Sequence, residues 1–398
     1  MAKLMIDDLD LSNKRVLVRV DFNVPLNEQL EVTDNNRIKA ALPTIRKIIQ
    51  SGGKAILMSH LGRPKGKTID SMSLAPVANE LSNLLGKAVN FVGDCVGQDV
   101  EKAVDELENG DVLLLENLRF HEAETGNDPD FARQLSKLGD VYINDAFGTA
   151  HRAHASTEGV TKYFDQCAAG YLIQKELQYL GNAIENPQRP FVAILGGAKI
   201  SGKIDVIENL LNKVDALLIG GGMSYTFLKA LDISIGNSLL EADKIQLAAD
   251  VFQKARSLKV KFELPIDHLI AREISASAET QITENQSIPE DWAGVDIGAK
   301  TVTHFKDILK NANTVVWNGP MGVFEIDPFS KGTIAVAETL AEITNRGATT
   351  VIGGGDSVAA LAKANKIDQV THVSTGGGAS LEFLGGIKLP GIEALTEK

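Results

Sequence analysis

The stretch Phe191-Val192-Ala193-Ile194-Leu195 runs directly into Gly196-Gly197-Ala198-Lys199. An apolar run that ends in a glycine turn is typical of a parallel α/β sheet, because such turns line the carboxyl edge of the strands, where ligands bind. Glycine lets the backbone approach a ligand closely, and a helix that begins just after it directs free N–H groups toward an anion. The same pattern recurs at 220–222, 318–320, 353–357 and 375–378. We therefore expect the second half of the chain to bind a polyphosphate.

Short apolar runs alternate with helical patterns along the chain, which indicates βαβ units and parallel sheets. The predicted strands cover 15–21, 55–58, 88–92, 112–115, 141–144, 191–195, 216–219, 261–263, 314–317, 349–352 and 372–374. At 398 residues the chain is long enough for two domains. One amphipathic helix is predicted over 172–184, before a boundary near Pro187 and Pro190. The polar segment 275–296 is predicted to be a surface excursion with β character.

The composition restricts the class of partner. The chain has 40 Lys and Arg residues against 52 Asp and Glu residues, a formal net charge of −12, which disfavours a nucleic-acid or anionic-membrane surface as the main partner. No apolar run approaches the roughly 18 residues of a membrane span, and the N-terminal residues lack the apolar core of a signal peptide. Two distant cysteines, Cys95 and Cys167, fit a reducing compartment. We expect a cytoplasmic protein.

Basic residues gather near predicted strand ends in the first half, against this acidic background. They are Arg37, His60, Arg63, Arg119 and Arg152, with His151 and His154 nearby. A single arginine there is usually a surface charge, but four in one acidic domain point to a shared anion, because guanidinium groups bind carboxylate and phosphate well. Asp21 and Asn23 either hold a hydroxyl-bearing substrate or cap a turn. The two histidines lack the clustered carboxylates or thiols of a metal site.

Lys199 and Lys203 stand in a loop that nearly matches a Walker A motif, although Ile204 occupies the position of the magnesium-binding Ser or Thr. The lysines are either solvated residues at a helix start or phosphate ligands. Cations there oppose the helix dipole unless an anion is bound, which favours phosphate. The turn 353–357 is either a plain β-to-α turn or a phosphate cradle, in which Asp356 caps the helix or reaches a magnesium ion. Glu325 is placed to accept from ribose hydroxyls.

The sequence lacks motifs for nucleophilic catalysis: neither G-x-S-x-G nor H-E-x-x-H occurs, and neither cysteine has a recognisable nucleophile setting. Charge neutralisation and positioning remain, which is what phosphoryl transfer mostly requires. On the residues alone two alternatives stay open. A nucleotide-linked dehydrogenase is disfavoured because no dinucleotide fingerprint is present. A non-catalytic two-domain protein that binds nucleotide and organophosphate would not need Lys199.

Ordered motifs extend over nearly the whole chain, from Arg19-Val20-Asp21-Phe22-Asn23-Val24-Pro25 through His60-Leu61-Gly62-Arg63-Pro64 and His151-Arg152-Ala153-His154 to Thr375-Gly376-Gly377-Gly378-Ala379-Ser380. In these motifs the sequence resembles the phosphoglycerate kinase family, in its bacterial form. The resemblance implies an α/β fold with two Rossmann-like three-layer domains, each with a parallel sheet, separated by a cleft and joined by a long helix. It implies a 3-phosphoglycerate-binding domain over 1–171 plus a C-terminal tail 389–398, an interdomain helix over 172–187, and a nucleotide-binding domain over 188–388.

The resemblance also implies site residues. For 3-phosphoglycerate these are Asp21, Asn23, Arg37, His60, Arg63, Arg119 and Arg152. For MgATP they are Gly197, Lys199, Lys203, Gly220, Gly221, Asn318, Glu325, Gly353, Gly354, Gly355, Asp356 and Ser357. Among the latter, Asp356 is expected on the Mg²⁺ ion, and Gly220 and Gly221 near the adenine.

The implied reaction is reversible transfer of the γ-phosphoryl group of ATP to the carboxylate of 3-phosphoglycerate, which gives ADP and 1,3-bisphosphoglycerate. Arg37 and Lys199 are expected on opposite sides of the moving phosphoryl group, and Lys203 with Mg²⁺ on the leaving phosphate. Backbone N–H groups near Gly354 and Gly377 are expected on its equatorial oxygens. Two ligands on two domains imply a closing movement, and the family implies a monomer.

Two positions depart from the family pattern. Gly202 stands where an aspartate is often seen, and Gly385 where a glutamate is usual. Neither position is a ligand in the family scheme, so we expect these departures to affect local stability and closure more than chemistry.

Overall fold

The computed structural model of the chain describes residues 3–398. The chain forms two compact units: unit 1 contains the residues up to Leu177 together with Lys388–Lys398, and unit 2 contains Gln178–Ile387. Each unit has a parallel six-stranded sheet flanked by helices. The predicted α/β class with two parallel sheets is thereby confirmed.

The sheet of unit 1 is built from short, almost wholly buried strands. They are β1 (Arg15–Val20), β2 (Lys54–Met58), β3 (Asn90–Val92), β4 (Val112–Leu115), β5 (Val141–Asp145) and β6 (Cys167–Ala169). The spatial order is β3-β4-β2-β1-β5-β6, and every neighbouring pair is parallel. Helices cover both faces of such a sheet, so its strands are nearly continuous apolar runs. Arg19 on β1 is an exception, a charged side chain that is fully buried.

The helices of unit 1 follow the predicted alternation. They are α1 (Asn36–Gln50), α2 (Ala75–Leu85), α3 (Gln98–Asp105), α4 (Glu122–Thr125), α5 (Pro129–Ser136) and α6 (Tyr171–Glu176). Short 3₁₀ helices occupy Ile6–Asp8, Asp70–Met72, Leu118–Phe120, Phe147–Thr149 and Gly159–Tyr163. The beginning of α5 has the cap that its sequence predicts. The Asp128 side chain accepts from the Phe131 N–H at 2.9 Å, and Pro129 takes the first helical position.

The chain passes from unit 1 to unit 2 through a helical segment that changes its winding. A π-helical turn over Leu177–Gly181 follows α6, and α7 (Asn182–Glu185) follows the turn. The prediction of one uninterrupted helix over 172–184 therefore needs correction, because a π turn lies in its middle. The division between the units falls inside this turn, after Leu177.

Unit 2 contains two sheets. Its strands are β7 (Phe191–Leu195), β8 (Ala216–Ile219), β9 (Lys261–Glu263), β10 (His268–Ala271), β11 (Thr280–Ile282), β12 (Ala293–Ile297), β13 (Thr314–Asn318), β14 (Thr349–Gly353) and β15 (His372–Val373). The parallel sheet has the order β15-β14-β13-β7-β8-β9, and β10 pairs antiparallel with β11 and β12 in a separate sheet. The β character predicted for 275–296 is present in β11 and β12, whereas β6 and β10 were not predicted.

The helices of unit 2 after α7 mostly follow its strands. They are α8 (Ile204–Leu210), α9 (Met223–Ala230), α10 (Ile245–Ser257), α11 (Ala299–Leu309), α12 (Lys331–Thr344), α13 (Gly355–Lys363) and α14 (Gly378–Leu384). Short 3₁₀ helices occupy Ala242–Lys244, Asp327–Phe329 and Ile367–Gln369. Within residues 3–398 no helix combines the length and the apolar character that crossing a membrane requires.

The C-terminal tail, with α15 (Pro390–Glu393), packs within unit 1. The Asn144 side chain donates to the Gly391 carbonyl at 3.0 Å, and the buried Lys3 ammonium donates to the Leu395 carbonyl at 2.9 Å. The Thr396 N–H donates to the Cys167 carbonyl, and the Thr396 hydroxyl oxygen accepts from the Cys167 N–H. The last residues of the chain therefore stabilise the edge of the first sheet, next to β6.

Candidate active site

Unit 1 contains a cavity of about 350 Å³ whose wall is strongly basic. It is lined by Arg63, Lys65, Gly66, Arg119, Thr125, Arg152 and His154. Three of the predicted anion-binding arginines thus share one cavity, although they come from three separate segments of the chain. Asp21, Asn23, Arg37 and His60 are not part of this wall, as far as residues 3–398 define it.

The turn after β2 joins Asn23 to Arg119. The Gly62 N–H donates to the Asn23 side-chain oxygen at 2.9 Å, and Arg119 Nη1 donates to the Gly62 carbonyl at 2.8 Å. Arg119 itself lies in a 3₁₀ turn whose start is capped by the Asn117 side chain. Arg119 is therefore held by the turn after β2 and by the cap of its own 3₁₀ turn.

Arg37 and Asp21 form an ion pair, with the Asp21 carboxylate largely buried and the Arg37 side chain about 41% exposed. Arg37 is thus oriented by a fixed partner while part of its guanidinium remains open to solvent. A planar guanidinium has five donors, so one carboxylate partner leaves donors for a second anion. The prediction that Asp21 and Arg37 act at one place is consistent with this geometry.

His60 is buried beside Arg19, whose Nη2 lies 3.1 Å from His60 Nδ1. Arginine can only donate, so Nδ1 is the acceptor and the ring proton must be on Nε2. Burial, followed by the positive charges of Arg19, Arg119, Arg37 and Arg152, holds the pKa of His60 well below its usual range. His60 is consequently a neutral donor through Nε2 at neutral pH.

A buried chain of hydrogen bonds fixes Arg19, which the sequence analysis did not select. Arg19 Nε donates to the Ser156 hydroxyl at 2.8 Å, and that hydroxyl donates to the Glu124 carboxylate at 2.6 Å. All three side chains are fully buried. An arginine inside the apolar run 15–20 was the signal that could have identified it, since charged residues are almost never fully buried without partners.

The basic side chains that line the cavity of unit 1 are only partly neutralised by nearby carboxylates. Burial and the charges of Arg19 and Arg152 lower the pKa of Arg119 to about 10. Burial and the same cluster of arginines lower the pKa of His154 to about 4. Within residues 3–398, Arg119 Nε and His154 Nδ1 are buried without a hydrogen-bond partner. A bound anion would supply the missing acceptor and the missing negative charge, so the cavity is suited to an anionic ligand.

Unit 2 has two adjoining cavities of different character at the carboxyl ends of its parallel strands. The first, of about 330 Å³, has a polar wall of turns and lysines: Gly197, Ala198, Lys199, Gly202, Lys203, Asn318, Gly319, Gly354, Gly355, Asp356, Ser357, Gly377, Gly378 and Leu381. The second measures about 440 Å³ and shares Gly197, Ala198 and Asp356 with the first. Together they offer a polar compartment that continues into a more apolar one.

Lys203 is anchored at the polar cavity. Its ammonium donates to the Asn318 carbonyl at 2.9 Å and to the Asn318 side-chain oxygen at 2.8 Å. Burial lowers the pKa of Lys203 to about 8, against the opposing effect of Asp356. Two acceptors engage two of its three donors, which leaves one for a ligand. Lys199 is exposed and follows the turn after β7.

Close backbone contacts between the turns beside the polar cavity explain Gly196 and Gly319. A Cβ on Gly196 would lie 2.0 Å from the Pro320 carbonyl oxygen, and Gly319 has φ +97°. The Gly319 N–H donates to the buried Ser357 hydroxyl at 2.6 Å, which ties the turn after β13 to the start of α13. Ser357 thus has a clear role in holding the turns together. Gly354 precedes α13 with φ +87°, and Gly377 precedes α14 with φ +52°.

The second cavity supplies an apolar surface that the sequence analysis did not identify. Its wall includes Tyr225, Leu239, Ile274 and Val323, together with the predicted residues Gly221 and Glu325. Gly220 and Gly353, both predicted ligands, line neither cavity in the described chain. A Cβ on Gly220 would lie 2.4 Å from the Met321 sulfur, so close packing accounts for that glycine.

Comparisons with known proteins agree with each other over the full chain. Residues 6–387 match the family model described as phosphoglycerate kinase. Proteins named phosphoglycerate kinase from Chlorobium limicola and Chloroherpeton thalassium are 58% and 59% identical, each over 100% of both chains. The structure of phosphoglycerate kinase from Coxiella burnetii has a TM-score of 0.90 at 43% identity, and that from Pyrococcus horikoshii 0.81 at 32%, each covering 98% of both chains. The chain belongs to the phosphoglycerate kinase family.

Proposed function

We propose that this chain transfers a phosphoryl group reversibly between ATP and the carboxylate of 3-phosphoglycerate, which gives ADP and 1,3-bisphosphoglycerate. Membership of the family supports the reaction, and the two kinds of cavity support the assignment of a ligand to each unit. The observation that carries the assignment is the under-neutralised arginine cluster of unit 1, since it needs a small anion. The glycine turns with two lysines in unit 2 suit a nucleotide's phosphates instead.

In unit 1, Arg63, Arg119 and Arg152 bind the 3-phosphate of the acid, because their shared cavity offers several guanidinium forks. His60 donates through Nε2, and Asp21 and Asn23 accept from the hydroxyl group of the substrate. Arg37, oriented by Asp21, binds the carboxylate that is to be phosphorylated. Asn23, His60, Arg37 and Arg119 each have a partner within the protein that orients them for the substrate.

In unit 2, the apolar cavity takes the adenine against Tyr225, Leu239 and Ile274, with Glu325 on the ribose. The phosphates then lie in the polar cavity, along the N–H groups at the start of α13 and near Lys203. Gly197 and Gly221 let the backbone approach the nucleotide closely. Gly220 and Gly353 act by shaping the neighbouring turns, through Met321 and Asn318.

A magnesium ion fits the donor set of this site. Asp356 is exposed and lies in the wall that both cavities of unit 2 share. Mg²⁺ is commonly bound in proteins by one or two carboxylates together with substrate phosphates. When bound, such an ion neutralises charge on the β- and γ-phosphates. Asp356 is the residue that would hold it.

The chemical step needs no general base, because the attacking carboxylate has no proton to lose. Its barrier is the repulsion between anions, so the residues act by neutralising and orienting charge. Arg37 contacts the carboxylate and the moving phosphoryl group, Lys199 contacts that group from the other side, and Lys203 stabilises the leaving phosphate. The N–H groups near Gly354 and Gly377 bind the equatorial oxygens as charge develops.

Because the two ligands bind to different units, we propose that binding of both draws the units together and excludes water from the acyl phosphate. Small-angle X-ray scattering of the free and the doubly liganded protein should show a smaller radius of gyration in the second. An unchanged radius would contradict this step alone. We further propose that the protein works as a monomer, since one chain contributes every residue assigned above. We propose the cytoplasm as its location.

The test of the proposed function is ATP consumption by the purified protein with Mg²⁺, with and without 3-phosphoglycerate. We expect turnover only when the acid is present. Lys199→Ala should lower kcat by about 10²–10³-fold, the typical loss of one transition-state charge contact. Lys310→Ala, which removes an exposed lysine outside the three cavities, is the matched control. Binding of both ligands without any turnover would indicate a binding protein and overturn the proposal.

A further inference from the structure

Three potential metal ligands meet in unit 1, outside the cavity described above. Asp94 and Cys95 follow β3, and His121 precedes α4. The ligand atoms of the three side chains all lie within 4.8 Å of one another. Among residues 3–398 this is the one group of three or more His, Cys, Asp and Glu side chains that meets this criterion. None of the three has a role in the proposed phosphoryl transfer.

The geometry of the group is fixed by contacts on both sides. The Asp94 carboxylate oxygen Oδ1 lies 2.7 Å from His121 Nε2, and the same oxygen accepts from the Cys95 N–H at 2.6 Å. The His121 ring packs against the Phe131 ring, with their centroids 5.2 Å apart. The parallel pairing of β3 with β4 holds the turn that carries Asp94 and Cys95. These contacts fix the Asp94 carboxylate, the His121 ring and the backbone of Cys95, and the three ligand atoms lie close together before any ligand is present.

Access to that point is open on one side. The Cys95 side chain is fully buried, whereas the Asp94 carboxylate is 52% exposed and the His121 ring 34% exposed. A cation entering from solvent therefore meets the carboxylate and the imidazole first and the sulfur last. Water can occupy a fourth position, as in zinc sites that have three protein ligands.

We propose that Asp94, Cys95 and His121 form a site for a divalent cation of the zinc class, distinct from the nucleotide's magnesium. Thiolate and imidazole ligands select zinc-like ions, whereas magnesium prefers an all-oxygen shell. Binding forms a metal–sulfur bond at Cys95 and releases the thiol proton to solvent. The cation takes the place of the hydrogen-bonded proton between His121 Nε2 and Asp94 Oδ1. That proton moves through solvent to Nδ1, so the imidazole binds as a neutral ligand, and the exposed Asp94 side chain rotates outward to make room.

Occupancy of this site has a structural consequence for its neighbours. His121 lies between Arg119 and Thr125, which both line the basic cavity. A metal at His121 would fix the segment 118–125 to the turn after β3 more firmly than the present hydrogen bond between His121 and Asp94 does. Ligands that bind only the folded protein raise its stability. We therefore expect the bound cation to raise the melting temperature of the full chain.

The test uses Co²⁺ as a spectroscopic probe on the full chain after treatment with a chelator. We expect one equivalent to bind, with the intense visible bands of tetrahedral Co²⁺ and a thiolate-to-cobalt charge-transfer band, both removed by Zn²⁺. Cys95→Ser should abolish the charge-transfer band. Cys167→Ser, which alters the other buried cysteine, is the matched control and should retain it.

Two milder variants keep the proposal testable if Cys95→Ser, which changes a buried residue, fails to fold. Asp94→Asn and His121→Gln change partly exposed side chains, and circular dichroism should show an unchanged fold. Each should weaken Co²⁺ binding by at least about tenfold, the lower range of what even second-shell losses cost. Absence of a charge-transfer band in the unmodified protein would overturn the proposal. So would its persistence in Cys95→Ser, or unchanged affinity in both milder variants.

Discussion

The two units arrange their candidate sites by different physical means. In unit 1 the site is made of side chains, namely arginines, histidines and carboxylates, and one of them, His60, is held by the buried network of Arg19, Ser156 and Glu124. In unit 2 it is made mostly of backbone, where turns approach one another so closely that only glycine fits, as at Gly196 against Pro320. The first site should be sensitive to loss of charge, and the second to added volume.

This difference matches the ligands that we propose. A small, highly charged acid has few atoms that a protein can contact. Binding it therefore requires several guanidinium groups in fixed positions. A nucleotide offers a long chain of phosphates and a flat base, which N–H groups and an apolar wall can bind.

The largest effect is expected in unit 1 when the buried arginine is removed. Arg19→Met leaves the buried Glu124 without the positive charge that reaches it through Ser156, and it deprives His60 Nδ1 of its donor. Removing one partner of a direct buried charge pair costs about 3–5 kcal/mol. Because Ser156 separates Arg19 from Glu124, we expect a loss toward the lower end of that range. Chemical denaturation should show this loss in the free energy of unfolding.

Arg63→Met is the matched control for that variant, since Arg63 is an exposed arginine of the same unit that lines the basic cavity. We expect it to weaken binding of 3-phosphoglycerate while changing stability by no more than about 0.5 kcal/mol, as surface substitutions usually do. If Arg19→Met were as stable as Arg63→Met, the buried network would not be the basis of the first site.

The second prediction adds volume to unit 2. Gly196→Ala would bring a Cβ to within 2.0 Å of the Pro320 carbonyl oxygen and 2.6 Å of the Gly319 carbonyl oxygen, so the turns after β7 and β13 must separate. Overpacking of this kind costs about 1–3 kcal/mol. We expect a matching loss in the free energy of unfolding and weaker ATP binding by calorimetry, with 3-phosphoglycerate binding unchanged. Equal losses for both ligands would show that the units are not independent in this respect.

The contrast between the sites also explains how much could be predicted from sequence. The parallel strands and most helices were predictable because each is an apolar run bounded by polar or glycine turns. β6 was missed since Cys167–Ala169 is short and its residues are small. The π turn at Leu177–Gly181 leaves the helical periodicity of 172–184 almost unchanged, so the sequence pattern could not show it.

For the sites, sequence reasoning identified residues but not their partners. Arg63, Arg119 and Arg152 share a cavity as expected from strand ends, yet the chain Arg19–Ser156–Glu124 depends on tertiary contacts between distant segments. Likewise Leu239 and Ile274 reach the apolar cavity from loops whose local sequence contains no binding motif. For Gly220 the structure adds a second reason for glycine, since a Cβ there would lie 2.4 Å from the Met321 sulfur.

The third prediction concerns pH and compares one buried aspartate in each unit. Burial raises the pKa of Asp145 and that of Asp296 to about 7. Between about pH 4 and pH 7 each folded unit retains a proton that the unfolded chain has lost, so each group makes stability fall as pH rises through this window, with no further loss above it. Denaturation at a series of pH values should show a smaller fall in Asp145→Asn and in Asp296→Asn.

The two variants should differ at pH 8. Both carboxylate oxygens of Asp296 accept a backbone N–H, from Ile297 and Gly332, so an amide leaves one donor unsatisfied at a cost of about 1–3 kcal/mol. Asp145 accepts through Oδ1 from Leu172, while its buried Oδ2 has no partner within residues 3–398. Asp145→Asn should therefore be neutral or stabilising. Equal destabilisation of both variants would contradict this reading of their hydrogen bonds.

The smallest effect is expected at Gly202, where the chain departs from the family pattern. A Cβ there would meet no atom within 4 Å, and its φ lies outside the left-handed region, although the residue lines the polar cavity. Gly-to-Ala changes at compatible positions stabilise by about 0.4–1 kcal/mol, chiefly by restricting the unfolded chain. Gly202→Ala should show that gain in the free energy of unfolding, with ATP affinity unchanged.

Gly197→Ala is the control for Gly202→Ala, because Gly197 lies in the same cavity wall but has φ +99°. Its Cβ would have space, with Lys203 Nζ the nearest atom at 3.7 Å, so any loss must come from backbone strain. The pair therefore tests whether conformation requires glycine in the second site. Gly197 needs glycine for its backbone conformation, whereas neither conformation nor space requires glycine at Gly202. If Gly202→Ala weakened ATP binding as much as Gly197→Ala, the cavity would demand small residues throughout, because phosphate would then occupy the open space beside Gly202.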